Sequence, residues 1–97
     1  MIGMTISEFM TKVYYGDEIE FIKNDTTYFV QGFYEDRLYH LTVDYWNKTD
    51  GTEPEHGYLL SLHCASQQER LSQFEQAPIF DGKTIYEIES EITVLYG

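Results

Sequence analysis

Residues 26–46, TTYFVQGFYEDRLYHLTVDYW, decide the fold class. Thr26 to Tyr34 is β-branched and aromatic, the composition that suits a pleated, half-buried surface. Arg37 to Trp46 alternates. Tyr39, Leu41, Val43 and Tyr45 fall on one side of it, and His40, Thr42 and Asp44 on the other, the period of two that marks a strand with one buried face. Glu35-Asp36 reads as the tight turn between them, and Gly32 as a bulge. Two such strands joined by so short a turn form an antiparallel pair.

The same pattern extends outward. In Asp17 to Lys23, acids alternate with Ile19 and Phe21, and Asn24-Asp25 supplies a turn into the next strand. Gly57 to Cys64 reads as a fourth strand. Thr5 and Glu8 make a capping box that opens a helix, in which Ile6, Phe9, Met10 and Val13 recur at helical spacing and Gly16 stops the run. Ser66 and Glu69 make a second box, with Leu71 and Phe74 as the inward face and Pro78 as the stop. Thr84 and Glu87 make a third, followed by Ile85, Ile88 and Ile92, with Glu87, Glu89 and Glu91 on the wet side. Thr93 to Tyr96 has the composition of a short final strand. The expected fold is α+β: an antiparallel sheet of about four strands, with an N-terminal helix and two C-terminal helices packed on one face, in a single domain spanning 1–97. Strand order stays open, because a meander and a split arrangement share this pattern.

Composition narrows the function classes. Apolar residues make up 42% of the 97 residues and aromatic ones 16%, enough to fold despite a net charge of −11. Seventeen acidic residues face six basic ones, a field that repels nucleic acid and anionic membranes and attracts a basic protein surface. No apolar run approaches the roughly 18 residues that span a bilayer. The N-terminal stretch has neither the basic start nor the apolar core of a signal peptide, so a cytoplasmic protein is expected. The single cysteine, Cys64, has no partner for an internal disulfide, which fits a reducing compartment.

Catalytic and metal patterns fail on spacing. Cys64 follows His63, and neighbours in a strand point to opposite faces, so they make no Cys–His dyad. The histidines at 40, 56 and 63 match no zinc spacing, and Asp44, Asp50, Gly51, Glu53 and Glu55 depart from the calcium-loop pattern. Asp81-Gly82-Lys83-Thr84 lacks the upstream glycine of a phosphate loop. No catalytic residue, cofactor or metal site is expected.

The connection from Asn47 to His56 is longer than a hairpin needs, is rich in acids, and has Tyr45, Trp46 and Tyr58 at its ends. Long loops on a small sheet are frequent recognition elements, with aromatic side chains giving contact area and acids steering the partner. Asp44, Trp46, Asp50, Glu53, Glu55 and Tyr58 are therefore the candidate partner-binding residues. The leading expectation is a non-enzymatic protein-binding module, such as an immunity or antitoxin-type inhibitor of a basic partner (a nuclease or other toxin), with no direct nucleic-acid binding and no membrane. Two rivals are a self-associating homodimer that buries an aromatic sheet face, and a small-ligand domain using His40, His63 and Asp44.

The opening helix, Gly16 to Phe21 (GDEIEF), the aromatic strand after it and above all Ala77 to Ile92 (APIFDGKTIYEIESEI) resemble small acidic proteins of low-GC Gram-positive bacteria. That group has no assigned activity, so the resemblance implies a bacterial, cytoplasmic setting and transfers no catalytic residue.

Overall fold

The central antiparallel pair forms as its alternation requires. In the computed structural model, which describes residues 1–47 and 55–97, the pair comprises β2 (Thr26–Glu35) and β3 (Leu38–Asn47) in unbroken register from Thr26↔Asn47 to Glu35↔Leu38. The turn is Asp36-Arg37, one residue beyond the expected Glu35-Asp36. Both residues take positive φ, 54° and 64°. A two-residue loop between right-twisted strands needs this mirror-image turn, which glycine and asparagine adopt easily and arginine does not.

β1 (Ile19–Lys23) pairs with β2 through the Asn24-Asp25 turn, and β4 (Glu55–Cys64) pairs with the far side of β3. The sheet has five strands rather than about four: β5 (Thr93–Tyr96) joins antiparallel to β1, in the order β4-β3-β2-β1-β5. The four strands expected in the first two-thirds of the chain are thus a meander, with the last strand closing its far edge. Ile2 bridges Thr93, and its backbone bonds to Ile92 and Val94 at 2.9 and 2.8 Å.

The helices follow their caps. α1 (Ile6–Tyr15) starts at the Thr5–Glu8 box and ends at Gly16 in the left-handed region. α2 (Gln67–Gln76) starts at Ser66, whose hydroxyl accepts the Glu69 N–H, while the Glu69 carboxylate accepts the N–H of Ala65 instead of completing a box. α3 (Ile85–Ile88) is a single turn continued by a 3-10 turn over Glu89–Glu91, so Ile92 lies outside the helix yet is still buried. Phe9, Met10 and Val13 from α1, Phe74 from α2, Ile85 and Ile88 from α3, and Ile92 share one core with Ile19, Phe21, Tyr28, Val30, Leu41 and Val43 from the sheet. These sheet positions alternate along their strands, so one face of the sheet meets the helices and the other lies open.

β4 breaks strict alternation. Its register slips where Val43 faces Leu60 but Asp44 faces Tyr58, leaving Leu59 as the extra residue of a bulge. The bulge lets the consecutive Leu59 and Leu60 both pack against the core.

Gly32 is not a bulge: it pairs regularly with Leu41. Its lack of a side chain serves a close approach. A Cβ there would sit 2.6 Å from the Gly16 Cα and 3.0 Å from the Arg70 guanidinium. Arg70 lies on the buried side of α2, where Leu71 and Phe74 were the expected inward residues, and is only 2% exposed. Its guanidinium donates to the backbone carbonyls of Tyr14 (2.6 Å) and His40 (3.2 Å) and stands over the Tyr39 ring. No carboxylate pairs with it among the described residues. The Tyr14 carbonyl is one of the orphan acceptors at the C-terminus of α1, where a cation also meets the negative end of the helix dipole.

Two stability changes are expected in urea unfolding. Arg70→Met keeps most of the volume but leaves two buried carbonyls without their donor, and should destabilise by about 2–4 kcal/mol. Arg37→Gly relieves the left-handed strain of the central turn and should stabilise by about 1 kcal/mol.

Candidate functional site

The open face of the sheet is defined by the same registers that bury the other. It carries Glu20 and Ile22 from β1, and Thr27, Phe29, Gln31, Phe33 and Glu35 from β2. β3 adds His40, Thr42, Asp44 and Trp46, and β4 adds His56, Tyr58, Ser61 and His63. No lysine or arginine stands on this face among the described residues. Two of the six basic residues, Lys23 and Arg70, are buried on the helix side. The solvent-facing charge is therefore more one-sided than the composition suggests.

A groove of about 710 Å³ opens on this face, lined by Phe29, Asp44, Tyr45, Trp46, His56, Gly57 and Tyr58. Trp46 is 50% exposed and Tyr58 75%, large values for aromatic side chains in strands. The Leu59 bulge lies beside it, in the strand that carries Tyr58, and Gly57 leaves room over the Tyr45 ring. A second hollow continues past Phe29 and Asp44 to Glu18, Glu20 and Tyr96.

Asp44 is the polar centre of this arrangement. Its Oδ1 is shut off from solvent and has no hydrogen-bond partner among the described residues. Burial pushes its carboxyl above the usual aspartate range. A buried acceptor without a donor is costly, and such groups persist mainly where they serve something other than stability.

Of the expected partner-binding residues, Asp44, Trp46 and Tyr58 meet in one groove. Glu55 opens β4 opposite Asn47. Asp50 and Glu53 lie outside the described residues, as does most of the Asn47–His56 connection. Phe29 and His56 belong to the groove but were not expected. Phe29 sits on the polar side of β2's alternation, and His56 could be placed only once the β3–β4 register was known.

The residues of the small-ligand rival separate. Asp44 lies in the groove, whereas His40 and His63 face each other further along the same strands, with Nδ1 atoms 2.6 Å apart. Cys64 points to the helix side and is 1% exposed, with its thiol pushed up by burial and by Glu69 against the opposing pull of Arg70. No group of three or more potential metal ligands gathers among the described residues, and none of their helices is long and apolar enough to cross a membrane. Comparison with protein families, curated proteins and solved structures returns no match.

The Asp44 carboxyl binds its proton more tightly in the folded chain than in the unfolded one. Its charge therefore opposes folding above the folded-state pKa, and that opposition disappears as pH falls below the unfolded value of roughly 3.9. Asp44→Asn should raise the melting temperature at neutral pH, and this gain should fade on acidification through the aspartate range, as followed by circular dichroism.

Proposed function

We propose that the open sheet face is a docking surface for a basic protein, and that the chain acts by binding rather than by catalysis. The observation that carries this reading is an Asp44 oxygen with no partner among the described residues, within an aromatic groove on a face where those residues place no positive side chain. A lysine or arginine side chain from a partner would pair with the Asp44 carboxylate, which lines the groove. It would also lie against the Trp46, Tyr58 and Phe29 rings, whose faces attract cations. The surrounding acidic field would speed capture of such a partner and reject acidic competitors. The most concrete form is an immunity or antitoxin-type inhibitor of a cationic toxin in the bacterial cytoplasm, with Asp50, Glu53 and Glu55 as further candidate acids from the sequence. No catalytic residue, metal or cofactor is required.

Trp46 is the sole tryptophan, so its emission reports directly on the groove. A basic protein recovered with this chain as bait at low salt should shift Trp46 emission on binding and lose affinity steeply as salt rises. Asp44→Asn and Tyr58→Ala should each weaken it by about tenfold. Binding that ignores salt and both substitutions would overturn the proposal. Concentration-dependent self-association, abolished by Tyr58→Ala, would replace it with the homodimer reading.

A further inference from the structure

His40 and His63 are cross-strand partners on the open face, toward the end of β3 and β4 away from the groove. Their rings meet edge to face with centroids 4.7 Å apart and Nδ1 atoms at 2.6 Å. At that distance the two nitrogens share one proton. The remaining contacts say which ring holds it. His40 Nε2 lies 3.0 Å from the carbonyl oxygen of Glu35, and a carbonyl can only accept, so His40 carries its proton on Nε2. In the neutral imidazole its Nδ1 is then a lone pair, and His63 donates to it. The Phe33 ring lies parallel over His40, with centroids 4.6 Å apart and planes 6° from parallel, and holds the imidazole in its plane.

This is how a metal-binding histidine is prepared. One ring nitrogen gives its N–H to a backbone carbonyl, which fixes the tautomer and turns the other nitrogen outward as a ligand. Here that ligand nitrogen faces a second imidazole nitrogen on an exposed side chain, His63.

We propose that His40 and His63 form a two-imidazole site for Zn²⁺, bound through both Nδ1 atoms with water in the remaining positions. Tetrahedral zinc with Zn–N bonds of about 2.0–2.1 Å sets its ligand nitrogens about 3.3 Å apart. The two nitrogens must therefore part by about 0.7 Å, through reorientation of the exposed His63 ring. The Nδ1 proton of His63 leaves as the metal binds, and its Nε2 takes one up from water, so both rings bind as neutral imidazoles. Imidazole also suits Cu²⁺, which such a site holds more tightly than zinc, so supply rather than geometry decides between them. The site is independent of the docking groove: it needs neither Asp44 nor a protein partner. The two residues lie far apart in sequence, so no local spacing announces them.

Zinc chloride titrated into the ¹⁵N-labelled chain, followed by imidazole ring-nitrogen spectra, tests this. The expected result is a shift of the Nδ1 signals of His40 and His63 that saturates at one equivalent, with the His56 ring unmoved. His63→Ala, at an exposed position, should weaken zinc binding by at least about tenfold, as should His40→Phe, which keeps the stack on Phe33. Circular dichroism confirms that both variants stay folded. Coordination through Nε2, a shift at His56 in place of the pair, unchanged affinity in His63→Ala, or no ring-nitrogen shift in large zinc excess would each overturn the assignment.

Discussion

A buried arginine with no acidic partner among the described residues organises this molecule. Burial pushes the Arg70 guanidinium below its ordinary pKa, and the Tyr14 and His40 carbonyls and the Tyr39 ring help offset its desolvation. Those contacts are what make it organising. One carbonyl ends α1, the other belongs to the middle strand of the β2–β3–β4 unit, and the donor sits on α2. A single planar group thus ties the first helix, the sheet and the second helix together. Gly16 and Gly32 are glycines because the guanidinium and the two backbones need the same space. The Gly32 N–H bonds back to the Gly16 carbonyl across that gap.

With the helices tied to one face, the other face is left open. Its character follows from the register. β2 and β3 put Phe29 beside Asp44 and Phe33 beside His40, and β4 adds Tyr58 and His63 to the same two rows. Two separate clusters result, an aromatic groove around an acid and an edge-to-face pair of imidazoles. Arg70 bonds the His40 carbonyl from the core side, so the strand position that carries the imidazole pair is anchored from beneath. The groove instead borders the Leu59 bulge.

The α+β class, the helix starts and the inward faces of α1, β1 and β3 were legible because they follow local rules: cap residues, period-two alternation and short turns. The short final strand was legible at Thr93–Tyr96, where β5 stands, but its place beside β1 was not, because pairing rather than its own pattern sets it. Two further features were hidden. Arg70 was passed over because a charged residue at a helical inward position reads as a gap in the apolar stripe, and nothing nearby in sequence signals the carbonyls that receive it. The His40–His63 pair was hidden by the long connection between β3 and β4. A two-residue turn would have fixed that register, whereas a long loop leaves it open and the Leu59 bulge shifts it once more. The groove was half legible: Asp44, Trp46 and Tyr58 were found from the loop they flank, Phe29 and His56 only from the ladder.

The joining of Ile2 to Ile92 and Val94 has a kinetic side. The meander from β1 to β3 closes through two-residue turns, so its pairs can form early at little cost in chain entropy. β5 must wait, because its place beside β1 and Ile2 brings together residues from opposite ends of the chain. The sheet therefore assembles from its centre, and the β5 edge is the last to settle and the first to open. Amide exchange should then run along the sheet as a gradient, slowest across β2 and β3 and fastest at β5. A partner or a metal ion held by β3 and β4 would meet the part of the sheet that has already formed.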